Sequence, residues 1–217
     1  MMTDIRLPIT KLDQASWIVV GYLLGYTFVM PLMGRVSDVY GHGRIYIISM
    51  LIFMLGSVFV AVATNLQWMV GARILQAIGG GAVVPIAMAI VGDVFTGRSR
   101  AVALGIIGAA VEAGGAIGPL YGAAITQFWG WQWIFWINLP ISLIVILVVL
   151  LFLGPSPRAQ GKIDYIGGFL LAVALALLSL GLSQQSGQPY FLAYVLSFLA
   201  ASLLFFASFI WREIRVS

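Results

Sequence analysis

Two charged residues stand where charge is costly. Arg73 lies a few residues inside the apolar run 67–91, and Glu112 lies near the middle of the apolar run 101–127. A charge at the centre of a bilayer-spanning helix costs about 2.5–3.5 kcal/mol on insertion scales, and by default it faces a cavity or a partner. The chemistry open to such a pair is proton carriage. Burial favours a neutral carboxyl and a nearby arginine favours the carboxylate, so a group drawn both ways gains and loses a proton as its cavity opens. The plainer alternatives are an arginine that snorkels to the headgroups and a glutamate with a packing role. Other chemistries lack their residues. There is no cysteine, and His42 is the only histidine, which leaves no disulfide, no thiolate and no histidine metal cluster. No Ser/His/Asp set exists, so the chain does not read as an enzyme.

The depths of the two charges favour pairing. Arg73 enters its run about six residues deep, or ~9 Å at ~1.5 Å per residue. Glu112 rises about eleven residues from the opposite side, which leaves it ~14 Å below the same face of a ~30 Å core. The expectation is that both face one cavity, with Glu112 carrying or sensing the proton and Arg73 setting its affinity.

The elements that hold these residues are membrane helices. Of 217 residues, 62% are hydrophobic and 8% charged, against ~25% charged in an average soluble domain. That excludes a disordered chain, a nucleic-acid-binding tail and an ordinary soluble enzyme. Seven apolar stretches appear, near 16–33, 45–64, 67–91, 101–127, 134–153, 165–182 and 190–210. They are helices and not barrel strands, since runs such as 141–153 do not alternate polar with apolar. The loops beyond them do alternate in charge. Arg35, Arg44, Arg98, Arg100, Arg158, Lys162, Arg212 and Arg215 collect on one side, while the links at Asn65, around 128–133 and around 183–189 carry no charge. The positive-inside rule places the basic side and the C-terminus in the cytoplasm. Trp17, Trp68, Trp129, Trp131, Trp133 and Trp136 then fall at the outer interface and Trp211 at the inner one, as headgroup anchors. The frame puts the polar tail 1–14 outside with no signal peptide before it. An earlier helix is therefore expected to be missing from this chain.

Three motifs fall on this map. Gly34-Arg35-Val36-Ser37-Asp38-Val39-Tyr40-Gly41-His42-Gly43-Arg44 resembles the loop between the second and third helices of major facilitator superfamily transporters, with Gly34, Asp38 and Gly41 matching. Val39, His42 and Gly43 stand where that family usually has basic residues, so a charge latch here would be weaker or would lean on Arg44. Glycines allow a tight reversal, and Asp38 would sit near the N-terminus of the next helix, where negative charge is favoured. Arg73-Ile74-Leu75-Gln76-Ala77-Ile78-Gly79-Gly80-Gly81 resembles the family's fourth-helix motif, with Ala77 in place of one glycine; the matching arginine is associated there with proton coupling. Gly114-Gly115-Ala116-Ile117-Gly118-Pro119-Leu120-Tyr121-Gly122-Ala123 resembles the antiporter motif of the fifth helix, with Ala123 in place of the last glycine. Gly114, Gly118 and Gly122 share one helix face, which invites close approach of another helix. Pro119 permits a kink.

The resemblance implies an all-α polytopic membrane protein, a partial major-facilitator-type bundle. Residues 1–154 would supply family helices two to six, and 155–217 two additional central helices, as in the fourteen-helix drug/proton antiporter branch. It implies multi-pass placement in the cytoplasmic membrane and proton-coupled efflux of small amphipathic compounds or drugs. The partners would be the bilayer, the substrate, protons and the missing remainder of the transporter, with no nucleic acid. No cofactor or metal is implied; the energy source would be the proton gradient. Proton coupling would rest on Arg73, Glu112 and Gln76, the loop motif on Gly34, Asp38, Gly41 and Arg44, and helix gating on Gly114, Gly118, Pro119 and Gly122. The alternative is a non-transporting sensor or assembly module derived from a transporter half. The charge map makes one prediction directly. Single cysteines introduced into this cysteine-free chain and treated with an impermeant thiol reagent on intact cells should label at position 65 and stay unlabelled at 98; the reverse pattern would invert the topology.

Overall fold

The computed structural model describes residues 12–154, 164–183 and 190–216. The tail before residue 12, the Arg158–Lys162 loop and the link at Gln185 lie outside the described residues. Eight helices follow in order: α1 (Leu12–Tyr40), α2 (His42–Ala61), α3 (Leu66–Val94), α4 (Gly97–Phe128), α5 (Trp133–Trp136), α6 (Asn138–Phe152), α7 (Tyr165–Leu182) and α8 (Phe191–Val216). They make seven segments long and apolar enough to cross a membrane, with α5 and α6 forming one of them, Trp133–Phe152. The interruption between α5 and α6 falls at Ile137. Its cause is Pro140, which lacks an N–H and whose ring crowds the carbonyl four residues back, that of Trp136.

The helices run past the apolar stretches into charged sequence. α1 carries Arg35 and Asp38, and α4 begins before Arg98 and Arg100. Backbone hydrogen bonds are satisfied within a helix whether or not lipid surrounds it, so apolarity marks the membrane and not the helix end. The first predicted loop is accordingly corrected: Gly34 is a residue of α1, and the reversal into α2 is made at Gly41 alone, with φ +96°. That left-handed backbone is open to glycine at little cost. At the other end of α2, Asn65 caps α3 by accepting the Trp68 N–H at 2.8 Å, and the Trp68 ring N–H donates to the Phe59 carbonyl at 3.0 Å.

α3 is the centre of the bundle, packed between α1 and α2. Its glycines explain how. A Cβ on Gly79 would collide with the Phe53 backbone N–H and stand 2.5 Å from the Ser49 carbonyl; one on Gly81 would stand 2.8 Å from the Tyr26 carbonyl. From the other side, a Cβ on Gly56 would stand 2.5 Å from the Gln76 backbone. In lipid there is no water to expel between helices, so such close van der Waals approach carries much of the association. α7 and α8 form a hairpin laid against α1. The Ser202 hydroxyl donates to the Ala174 carbonyl at 2.8 Å, and Phe28 meets Phe169 edge-on at 5.9 Å.

α4 is different. It touches only α3 and α5 lightly, and Ile125 is its one buried residue. The tryptophans also divide. Trp68, Trp129, Trp133 and Trp211 are exposed as anchors would be, whereas Trp131 is 3% exposed and packs edge-on to Phe135. Its placement as an interfacial anchor is therefore corrected to a core position. The glycine geometry predicts that Gly79→Ala destabilises the purified chain by about 1–3 kcal/mol, the range for overpacking, while Gly118→Ala, which meets nothing within 4 Å, is near neutral. Equal effects of both in detergent unfolding would refute this helix map.

Candidate functional site: a buried arginine and its hydrogen-bonded support

Where α2 crosses α3, the sequence Gly56-Ser57 does two things. Gly56 lets the Gln76 backbone approach, and Ser57 then places a hydroxyl within reach of the Gln76 amide. Both side chains are buried, at 0% and 2% exposure. The Ser57 hydroxyl donates to the Phe53 carbonyl at 2.9 Å, within its own helix. Its oxygen is left to accept from the Gln76 Nε2 at 2.8 Å. The Gln76 Oε1 then accepts from Arg73 Nη1 at 3.0 Å. The direction of this chain is fixed at both ends, because a guanidinium only donates and a backbone carbonyl only accepts.

The rest of the guanidinium lies among aromatic faces. Its central carbon stands 4.8 Å from the Phe135 ring centroid and 5.2 Å from that of Tyr22, both within cation–π range. The Arg73 Nε is buried without a hydrogen-bond partner, as is the indole nitrogen of Trp131, which packs on the same Phe135 ring. α1, α2, α3 and α5 therefore converge on one cation that retains unspent donor capacity. Trp131 and Phe135 fall in the stretch 131–140, which resembles the entry to the family's sixth helix, and Tyr22 falls in one that resembles its second, but neither resemblance marks them as neighbours of Arg73; Ser57 carries no motif signal. Ser57 was legible only as the residue beside a glycine in an apolar run.

The expected Arg73–Glu112 pair is not formed in this structure. Arg73 turns to Gln76 and the aromatic rings. Glu112 lies on the exposed face of α4 and has no ion pair or hydrogen bond among the described residues. The reason is the light contact of α4 with α3. Similarly, Gly114, Gly115 and Gly118 meet nothing within 4 Å where a Cβ would stand, and Gly122 meets only Ile134 at 3.8 Å. No helix occupies that glycine face among the described residues. Pro119 is accommodated within a continuous α4.

The first motif assembles differently from expectation. Asp38 lies in the last turn of α1, with Arg35 Nη1 3.7 Å from its Oδ2. Arg44 makes no ion pair with it among the described residues. His42 does: its Nε2 is 3.0 Å from Asp38 Oδ1, and its Nδ1 is 2.7 Å from Asp93 Oδ2 on α3. Asp93, which reads in sequence as a solvated charge beside Arg98 and Arg100, is exposed and also bonds the buried His42 ring. Asp38 and His42 meet across the Gly41 reversal, where helical spacing does not apply, and the Asp93 contact is fifty-one residues distant, so neither was legible in the sequence. A second clasp joins the start of α7 to the end of α8. Asp164 caps α7 through the Gly167 N–H at 3.0 Å and accepts Arg212 Nε and Nη2 at 2.9–3.1 Å. The Arg212 hydrogen bonds, and then the Gly167 N–H, hold the Asp164 carboxyl below its ordinary range, so the clasp stays charged at neutral pH and is lost only on strong acidification.

The profile of the Major Facilitator Superfamily matches residues 9–215. The chain belongs to the major facilitator superfamily. Among curated relatives of this superfamily, a triacylglyceride transporter of Mycolicibacterium hassiacum is 40% identical over 185 residues, covering 84% of this chain and 35% of its own length. One of Mycobacteroides abscessus is 39% identical, covering 98% of this chain and 42% of its own. The chain thus spans well under half the length of these relatives. In structure it resembles the human organic anion transporter MFSD10, with a TM-score of 0.60 and 22% identity over 86% of this chain and 45% of the other; that likeness speaks to the fold alone.

Proposed function

We propose that this chain works as the N-terminal part of a proton-coupled exporter of amphipathic or lipid-like molecules, placed in the cytoplasmic membrane with its basic end inside. The observation that carries the reading is the Arg73 site. A cation within a membrane span is tolerated only with a partner or a cavity. Here it is held by Gln76 and two aromatic rings while its Nε and the Trp131 indole remain available. A fixed cation with a spare donor can receive an acceptor group, such as a proton-bearing carboxyl in its ionised state or a polar group of a substrate, and release it when the group is neutralised. Glu112 stands in this reading as a proton carrier whose partner lies in another conformation or in another part of the transporter.

The substrate class rests on two supports. The motifs resemble those of drug/proton antiporters, while the relatives are named triacylglyceride transporters. The two meet in molecules with a large apolar body and a small polar group. The α7–α8 hairpin supports the fourteen-helix branch, in which two helices are added after the first bundle.

The test uses the full-length protein carrying this segment, reconstituted in vesicles with an imposed pH gradient. Arg73→Gln should lower gradient-driven export of a fluorescent acylglycerol analogue at least ten-fold, with insertion unchanged, since one lost charge-assisted interaction amounts to about 1.5–3 kcal/mol. Full export by Arg73→Gln would refute the site. Export of a cationic dye but not of the acylglycerol would place the substrate with drugs and not with lipids.

A further inference from the structure

The His42 bridge lies at the opposite end of α3 from Arg73. Residues 73 and 93 are separated by about 30 Å at ~1.5 Å per residue, so what happens at one need not involve the other. His42 is 5% exposed. Each of its ring nitrogens faces a carboxylate oxygen, Asp38 Oδ1 at 3.0 Å and Asp93 Oδ2 at 2.7 Å. An ionised carboxylate only accepts, and a neutral imidazole has one N–H and one lone pair. A neutral ring can therefore satisfy one of these contacts and must present a lone pair to the other. Both contacts hold together only when the three groups share one further proton, as an imidazolium between two carboxylates.

The surroundings leave that proton as the variable. On α1, Arg35 holds the second oxygen of Asp38 at 3.7 Å, and Tyr40 pairs with Tyr165 of α7. On α2, Arg44 is the only other charged residue near the turn. On α3, Asp93 is the only charged residue at this end of the helix; Arg73 lies about five to six turns away. From α4, the Arg100 guanidinium lies against Gly92, 3.2 Å from where a Cβ would stand, and Arg98 is exposed. From α6, only the apolar Val149 and Leu153 reach Gly43. Asp38 keeps Arg35 whether or not His42 is charged. Loss of the ring proton leaves one of the two contacts without a donor, and the tie between the α1–α2 turn and α3 runs through both.

We propose that His42 is a proton-binding site at the basic end of the bundle: the protonated ring ties Asp93 on α3 to Asp38 at the α1–α2 turn, and loss of one proton unties them. This goes beyond the export reading and does not depend on what is carried.

Because His42 is the only histidine, the 217-residue chain labelled with ¹⁵N-histidine and placed in nanodiscs reports a single imidazole. We expect both ring nitrogens to carry protons at acid pH and one N–H to be lost as pH rises. Asp93→Asn should weaken proton binding about ten-fold, the effect of removing one adjacent opposite charge. Spin labels at Val36→Cys and Val94→Cys should give a narrow distance distribution at acid pH that broadens to longer distances when the ring proton is lost. In His42→Arg, which cannot lose its charge, the distribution should stay narrow throughout. A ring that stays neutral down to pH 5, or a wild-type distance indifferent to the ring's protonation, would overturn the proposal.

Discussion

Everything near the centre of this bundle depends on keeping one guanidinium inside the membrane. Arg73 is held by a chain that passes through Gln76 and Ser57 to a backbone carbonyl of α2. That chain requires α2 and α3 to touch backbone to backbone, which Gly56 and Gly79 allow. The requirement propagates outward. α1 supplies the Tyr22 face and α5 the Phe135 face, and the break before Pro140 ends α5 as a short piece beside the site. A buried charge without such support would cost about 2.5–3.5 kcal/mol on insertion scales, a large share of the ~5–15 kcal/mol that ordinarily keeps a domain folded. The glycines and the polar chain are two parts of one solution.

The sequence was legible where the signal was local or periodic. Seven spans, their order and the odd cost of Arg73 and Glu112 all follow from spacing, whereas the bond from Arg73 to Gln76 appears only in the fold. Its third-span glycines carried the close packing that the reading had assigned to Gly114, Gly118 and Gly122. The two sets look alike in sequence, because a glycine stripe says that a helix can come close and not that one does. Trp131 was misplaced because tryptophan suits both an interface and a core. His42 was passed over as a replaced basic residue, since its second partner is far along the chain and only the fold joins them.

The two ends of α3 carry different chemistry. Toward the tryptophan-rich end, a permanent cation is fixed by neutral partners and aromatic rings. At the basic end, a titratable ring is fixed by two anions. Between them the helix is packed tightly enough that a Cβ at Gly79 or Gly81 would meet backbone. α4 packs only lightly against α3 and α5 and leaves Glu112 exposed.

The claim that the polar chain fastens α2 to α3 beneath Arg73 is tested most directly by a double-mutant cycle of Ser57→Ala and Gln76→Leu in the purified chain, read by reversible unfolding in detergent. A bond that carries load predicts a coupling of about 0.6–1.7 kcal/mol, the range for interhelical side-chain bonds in membranes. Losses that simply add, to within about 0.3–0.5 kcal/mol, would show that the two side chains sit close without supporting each other, and the account of how Arg73 is held would fail.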